Sequence, residues 1–108
     1  MLLPGPFLTT PVADGGTVTS AVISTRGLSR GAVGLKSDHG GTLTVTRYVD
    51  AQGLVPLNAG PAALAIAANV ANSVGWSDGL PCGSIQIKFV NNAGAVANLS
   101  EVTVGLTP

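Results

Sequence analysis

Apolar and polar residues alternate most regularly from Thr42 to Val49. Leu43, Val45 and Val49 share one parity, and Thr42, Thr44, Thr46 and Tyr48 share the other. A period of two predicts a half-buried strand, and Arg47 is the one charged residue on its apolar side. Ser84 to Val90 repeats the pattern, with Ile85, Ile87 and Phe89 inward and Ser84, Gln86 and Lys88 outward. From Thr17 to Thr25 every second residue is small or polar, which predicts a strand without deciding which face is buried. Asp50-Ala51-Gln52-Gly53 carries the residues of a tight turn, and Leu54 to Leu57 starts back with Pro56, which suits an edge. Asn91-Asn92-Ala93-Gly94 has the composition of a hairpin turn. Beyond it, Ala95, Ala97 and Leu99 lie on one parity and Val102, Val104 and Leu106 on the other, so a bulge near Ser100 would keep both sets facing the core.

Residues 62 to 74 admit two readings. The series Ile66, Val70, Val74 after Pro61 would suit a helix, yet Leu64, Ile66, Ala68, Val70, Val74 and Trp76 also share one parity. Asn69, Asn72 and Ser73 are poor helix-interior residues, so a long strand is preferred. About seven or eight short strands with turns between them predict an all-β fold, a two-sheet sandwich of Greek-key or jelly-roll type over residues 17–108. Residues 1–16, with Pro4, Pro6 and Pro11 and a closing Asp14-Gly15-Gly16, read as an extended N-terminal arm. Its apolar residues Leu2, Leu3, Phe7 and Leu8 need a surface to lie on. That surface is either their own domain or a neighbouring subunit, and these four are the candidate partner-binding residues.

Composition sharpens this picture through charge. Of 108 residues 45% are apolar but only 9% are charged, and five basic residues cancel five acidic ones. A typical soluble domain has about 25% charged residues. A neutral chain without a basic cluster cannot neutralise a row of phosphates, so no nucleic-acid partner is expected. No run approaches the roughly 18–20 apolar residues that span a bilayer, and the N-terminal residues lack the basic start of a secretory signal, so no membrane is expected either. One cysteine, Cys82, allows no internal disulfide, which suits a reducing compartment such as a cytoplasm. A small, charge-poor chain is expected to associate with other subunits.

Candidate chemistry is sparse. Gly31-Ala-Val-Gly34-Leu-Lys36-Ser37 has an outline like a phosphate-binding loop, but Leu35 stands where that motif needs glycine and a turn follows where it needs a helix. His39 is the only histidine, and no nucleophile elbow accompanies it. One Cys and one His do not build a zinc site, and Cys82 is read as a small buried residue. Asp14, Asp38, Asp50 and Asp78 lie near glycines, which is turn chemistry, with a loop calcium site as the lesser reading. Asn98-Leu99-Ser100 is a chance match to a glycosylation acceptor. Trp76, in Trp76-Ser-Asp78-Gly79, is a core plug or, less favoured, a platform for stacking a sugar. The chain is therefore expected not to be an enzyme and to carry no cofactor.

The run Gly41-Thr-Leu-Thr-Val-Thr-Arg47-Tyr48-Val49-Asp50-Ala-Gln-Gly53 resembles a segment of small β-sandwich virion proteins of tailed bacteriophages. So does Asn69-Val-Ala-Asn72-Ser-Val74-Gly-Trp76-Ser-Asp78-Gly79-Leu-Pro81 leading into Ser84 to Gly94, although an aromatic often follows that turn in the class where this chain has Cys82. Together the segments cover roughly residues 41 to 105. The resemblance implies a non-enzymatic structural role, foremost a capsid decoration (cement) protein. Such a protein would be assembled in the host cytoplasm, bound to the major capsid protein on the outer virion surface, and homo-oligomeric with a trimer favoured. A carbohydrate-binding or host-recognition module of a tail or fibre is the alternative.

Overall fold

The computed structural model describes residues 1–108. Nine strands and no helix follow one another: β1 (Thr17–Thr19), β2 (Ile23–Ser24), β3 (Arg30–Ser37), β4 (Gly41–Tyr48), β5 (Pro56–Leu57), β6 (Leu64–Ile66), β7 (Asn72–Trp76), β8 (Ser84–Asn91) and β9 (Leu99–Thr107). They form two antiparallel sheets. The first has the order β1-β8-β4-β5, with β2 also on β8 and β6 also on β4; the second has the order β7-β3-β9. One core joins inward residues of both sheets, so the chain is a two-sheet β-sandwich.

The most regular alternations give the longest ladder. β4 and β8 pair along their whole length, with Leu43 opposite Phe89, Val45 opposite Ile87 and Arg47 opposite Ile85. All six side chains are buried, because a shared parity in an antiparallel pair puts both apolar sets on one face. Opposite them, Val33 stands between Val74 and Val104 in the second sheet. Pro56 sits on the edge strand β5, where its missing N–H costs no ladder bond. The bulge expected near Ser100 is present. Gly34 pairs with Thr103 and Lys36 with Ser100, and Glu101 in between adopts φ 55°. That extra residue brings both Leu99 and the Val104, Leu106 pair to the core.

Four expectations need correction. Residues 62 to 74 are neither one strand nor a helix: β6 belongs to the first sheet and β7 to the second, and Asn69 at φ 61° turns the chain between them. Ala68 and Val70 accordingly lie at the surface. The stretch from Thr17 to Thr25 is two short strands, parted where Ser20 turns its hydroxyl to accept the N–H of Ile87 at 2.9 Å. Asn91 to Gly94 closes no hairpin, since β8 and β9 lie in different sheets. Buried Asn91 instead anchors the crossover, its amide donating to the carbonyls of Val12, Ala13 and Ala95. Val49 has left the ladder and is 46% exposed. Residues 31–37, which lack the glycine and the following helix of a phosphate-binding loop, lie in the central strand of the second sheet, β3.

Candidate functional site

The N-terminal segment expected as an arm runs antiparallel to β9 and the residues before it, with bridges Leu2–Gly105 and Val12–Ala97. Leu3 donates its N–H to the Val104 carbonyl (2.9 Å), and Leu106 donates to the Met1 carbonyl (2.8 Å). Farther along, Thr10 Oγ1 accepts the N–H of Leu99 (2.9 Å), and Val12 and Ala97 exchange N–H···O bonds of 2.7 and 2.9 Å. Prolines suit such a position, because an outermost segment need not offer every N–H. Leu8 and Val12 enter the core, and Leu3 and Phe7 pack against it. Of the four candidate partner-binding residues, the chain's own sandwich thus engages Leu3, Phe7 and Leu8. Leu2, 74% exposed, remains at the surface.

Exposed apolar side chains gather elsewhere, at the β4–β5 turn. Asp50 organises that turn: its carboxylate accepts the N–H groups of Gln52 (3.1 Å), Leu54 (3.0 Å) and Val55 (2.8 Å). These bonds, that of Val55 foremost, hold the Asp50 carboxyl below the usual carboxylate range. Val49 donates its N–H to the Val55 carbonyl (2.9 Å), closing the loop. At Gly53, with φ 74°, a Cβ would fall 2.7 Å from Val22 Cγ2, so the β1–β2 connection packs directly on the turn. The result is a hydrogen-bonded tip that presents Val22, Val49, Leu54 and Val55, with Leu54 78% exposed. Its only ionised group is occupied by backbone donors. Such a surface offers apolar contact area and no free charge.

Behind the tip lies the one buried cation. Arg47 is 1% exposed; its guanidinium donates to both Asp78 oxygens (3.0 and 2.6 Å) and to the carbonyls of Gly60 (3.0 Å) and Ala59 (3.3 Å). The bidentate bond from Arg47 holds Asp78 down to about 2, and the same bond raises Arg47 against the opposing effect of burial. Trp76 lies with its ring centroid 5.9 Å from the guanidinium carbon. Its ring edge is accommodated because Gly31 has no side chain there: a Cβ would meet Trp76 Cζ2 at 2.7 Å. Trp76 is a buried core residue, as favoured, and is 6% exposed. Cys82 is buried nearby, and burial pushes its thiol up, away from the reactive thiolate.

His39 and Asp38 form a second polar cluster at the β3–β4 turn. Asp38 accepts from Asn98 Nδ2 (2.9 Å) and the Asn98 N–H (2.7 Å) and lies 3.0 Å from His39 Nδ1, which together lower its carboxyl to about 2. Ser37 is fully buried and its Oγ accepts the His39 N–H (3.2 Å), so the hydroxyl faces no substrate. The cluster ties the turn to the start of β9 and engages the Asn98 side chain. Two open clefts flank the second sheet, one of about 360 Å³ over Leu2, Arg30, Gly31, Trp76 and Gly105, the other of about 520 Å³ over Gly34, Asn72, Ser73 and Glu101. Neither gathers acid, base and nucleophile.

Sequence reasoning singled out Arg47 as a charge on an apolar face but missed its partner. An inward Arg requires an acid, and Asp78, in a turn after Trp76, was the candidate to test. The tip was missed too, although Leu54 and Val55, following a turn without continuing any alternation, carried a usable signal. No known protein family and no curated protein matches the chain.

Proposed function

We propose that this chain is a non-enzymatic structural protein of a tailed-phage virion, a capsid decoration protein that binds the major capsid protein on the outer surface of the head. The observation that carries the reading is the tip: four apolar side chains on a turn held by Asp50, on a chain of which only 9% of residues are charged. A preorganised apolar surface loses little conformational entropy on docking, which suits a subunit that must bind many equivalent sites. The resemblance of residues 41–105 to small β-sandwich virion proteins points the same way, as does a sandwich built without disulfides, which can assemble in the host cytoplasm. The chain acts as a homo-oligomer, with the tip against the capsid. A tail or fibre module that binds sugar is the less supported reading, because Trp76 is in the core. Quantitative mass spectrometry of purified particles tests the proposal. Hundreds of copies per particle are expected for decoration, a few to a few dozen mark a tail part, and absence from the particle refutes a virion role.

A further inference from the structure

β-Sheet edges carry unpaired peptide groups, and natural proteins guard them with prolines, charges, interruptions or covering segments. The edge of β9 is covered by the arm with its prolines. On the first sheet, one edge holds Pro56 in β5 and the short β6, and the other is split between β1 and β2. The edge of β7 has none of these protections. Asn72-Ser73-Val74-Gly75-Trp76 contains no charge and no proline, pairs with β3 on one side only, and is exposed from Asn72 to Ser73 and at Gly75.

The direction of its free peptide groups follows from the opposite edge. Val104 and Leu106 turn their backbone groups to the arm, so Thr103, Gly105 and Thr107 are the β9 residues that bond β3. Alternation across β3 then sets Asn72, Val74 and Trp76 against β3 and turns the N–H and C=O of Ser73 and Gly75 outward. Consistent with this, the Ser73 N–H is taken by the chain's own Asn72 Oδ1 at 2.8 Å.

We propose that β7 is a self-association edge that pairs antiparallel with β7 of a second copy across a two-fold axis at Val74. In that register Ser73 stands opposite Gly75 of the other copy and Gly75 opposite Ser73. Each outward N–H then meets an outward C=O, and no outward group of either edge is left over. Val74 meets its own counterpart at a non-hydrogen-bonded position, where side chains approach most closely and β-branched pairs pack well. In this register Val74 stands opposite its own copy, and Ser73 and Gly75 lie two positions along the strands from theirs, so a charge there would sit near its like across the axis; β7 has none. On the outer face only Ser73 and Gly75 meet, and neither has bulk to block the approach. Asn72, exposed, must release the Ser73 N–H. The two copies form one continuous six-stranded sheet, a two-fold assembly in place of the three-fold one that the resemblance implies. The inference is independent of the virion reading.

The test is sedimentation of the purified chain from micromolar to millimolar concentration. Ser73→Pro removes an N–H that bonds no β3 residue and places a ring in the path of the second strand; Ser73→Ala keeps the N–H. The wild type and Ser73→Ala should reach the mass of two chains, and the Gly75 amide should gain protection from hydrogen exchange in step with dimer formation. Ser73→Pro should remain a monomer with an unchanged melting temperature. If that variant fails to fold, Ser73→Lys replaces it, and its dimer should be lost at low salt and partly restored at high salt. A wild type that stays monomeric at millimolar concentration overturns the proposal. So does an oligomer that survives a folded Ser73→Pro or, where that variant does not fold, Ser73→Lys.

Discussion

A guanidinium removed from water costs several kcal/mol unless its donors are met, and Arg47 meets them with one carboxylate and two loop carbonyls. The partners come from the 59–60 and 77–83 connections, so the side chain fastens two loops to β4. Removing Asp78 leaves the buried guanidinium short of its counter-charge, whereas removing the guanidinium leaves two neutral carbonyls and a carboxylate that is 36% exposed and that water can reach. Asp78→Ala should therefore lower the urea midpoint more than removal of the guanidinium does, because it strands the buried charge. Arg47→Met should cost under about 1.5 kcal/mol. Urea unfolding of the two variants decides it, and the reverse order would mean that the guanidinium acts by packing alone. Acid acts on the same residues. The carboxyls of Asp78 and Asp38 lie at about 2 in the fold, against an ordinary value of 3.8. A lowered carboxyl contributes stability that is whole above its unfolded value and fades as pH falls through the folded one. Stability should thus be level from neutral pH to about 5 and decline between about 4 and 2. A melting-temperature series against pH would show this window, and Asp38→Asn should flatten part of the decline.

Elements were legible where burial imposes a clean period of two, and obscure where it does not. β4 and β8 bury one full face, so their parity and partners could be read from Leu43, Val45, Ile85, Ile87 and Phe89. The change of parity before Val102 announced the bulge now seen at Glu101. β3 was hidden because Ala32 and Gly34 alternate with Val33 and Leu35, and glycine in a strand reads locally as a loop. β6 and β7 were merged because both keep the parity of Leu64, Ile66, Val74 and Trp76, and only a turn at Asn69 sends them to different sheets. The charged face of the site was half legible, Arg47 without Asp78, since residues so far apart in the chain meet only once the topology is known. Two outcomes belong to this scale. Glu101 holds a left-handed backbone that costs an L-residue about 1–2 kcal/mol. Its side chain is exposed, so Glu101→Gly should raise stability by roughly 0.5–1 kcal/mol after the greater flexibility of unfolded glycine is deducted. A thermal melt checks the sign. The arm, in turn, supplies Leu8 and Val12 to the core and closes the β9 edge. Deleting residues 2–12 should lower the urea midpoint clearly, while deleting residues 1–2 alone should leave it nearly in place.

At the scale of the whole molecule the question is which force attaches so weakly charged a particle to anything. Of the five acids, Asp78 is bound to Arg47, Asp50 to its own turn and Asp38 to Asn98, which leaves Asp14 and Glu101. Of the five bases, Arg47 is buried and the Arg30 Nε donates to the Pro108 carbonyl at 2.8 Å. An electrostatic footprint cannot be drawn from the remainder, whereas the tip offers Val22, Val49, Leu54 and Val55 together. Apolar contact is not weakened by screening and is strengthened by excluded salts; an interface of ion pairs loosens as the Debye length falls to about 3 Å in 1 M salt. On the proposed virion role, occupancy on purified particles should therefore survive about 1 M sodium chloride. It should fall in dilute urea before the sandwich unfolds, because the tip is a small surface and the core a large one. Leu54→Asp should release the protein in buffer alone while leaving its melting temperature within a few degrees, since Leu54 contributes little to the core. A release series across salt and urea, run beside the melting curve of the free protein, separates the cases. Loss in salt alone would shift the contact to Arg26, Arg30, Lys36 or Lys88, and retention of Leu54→Asp would move it away from the tip.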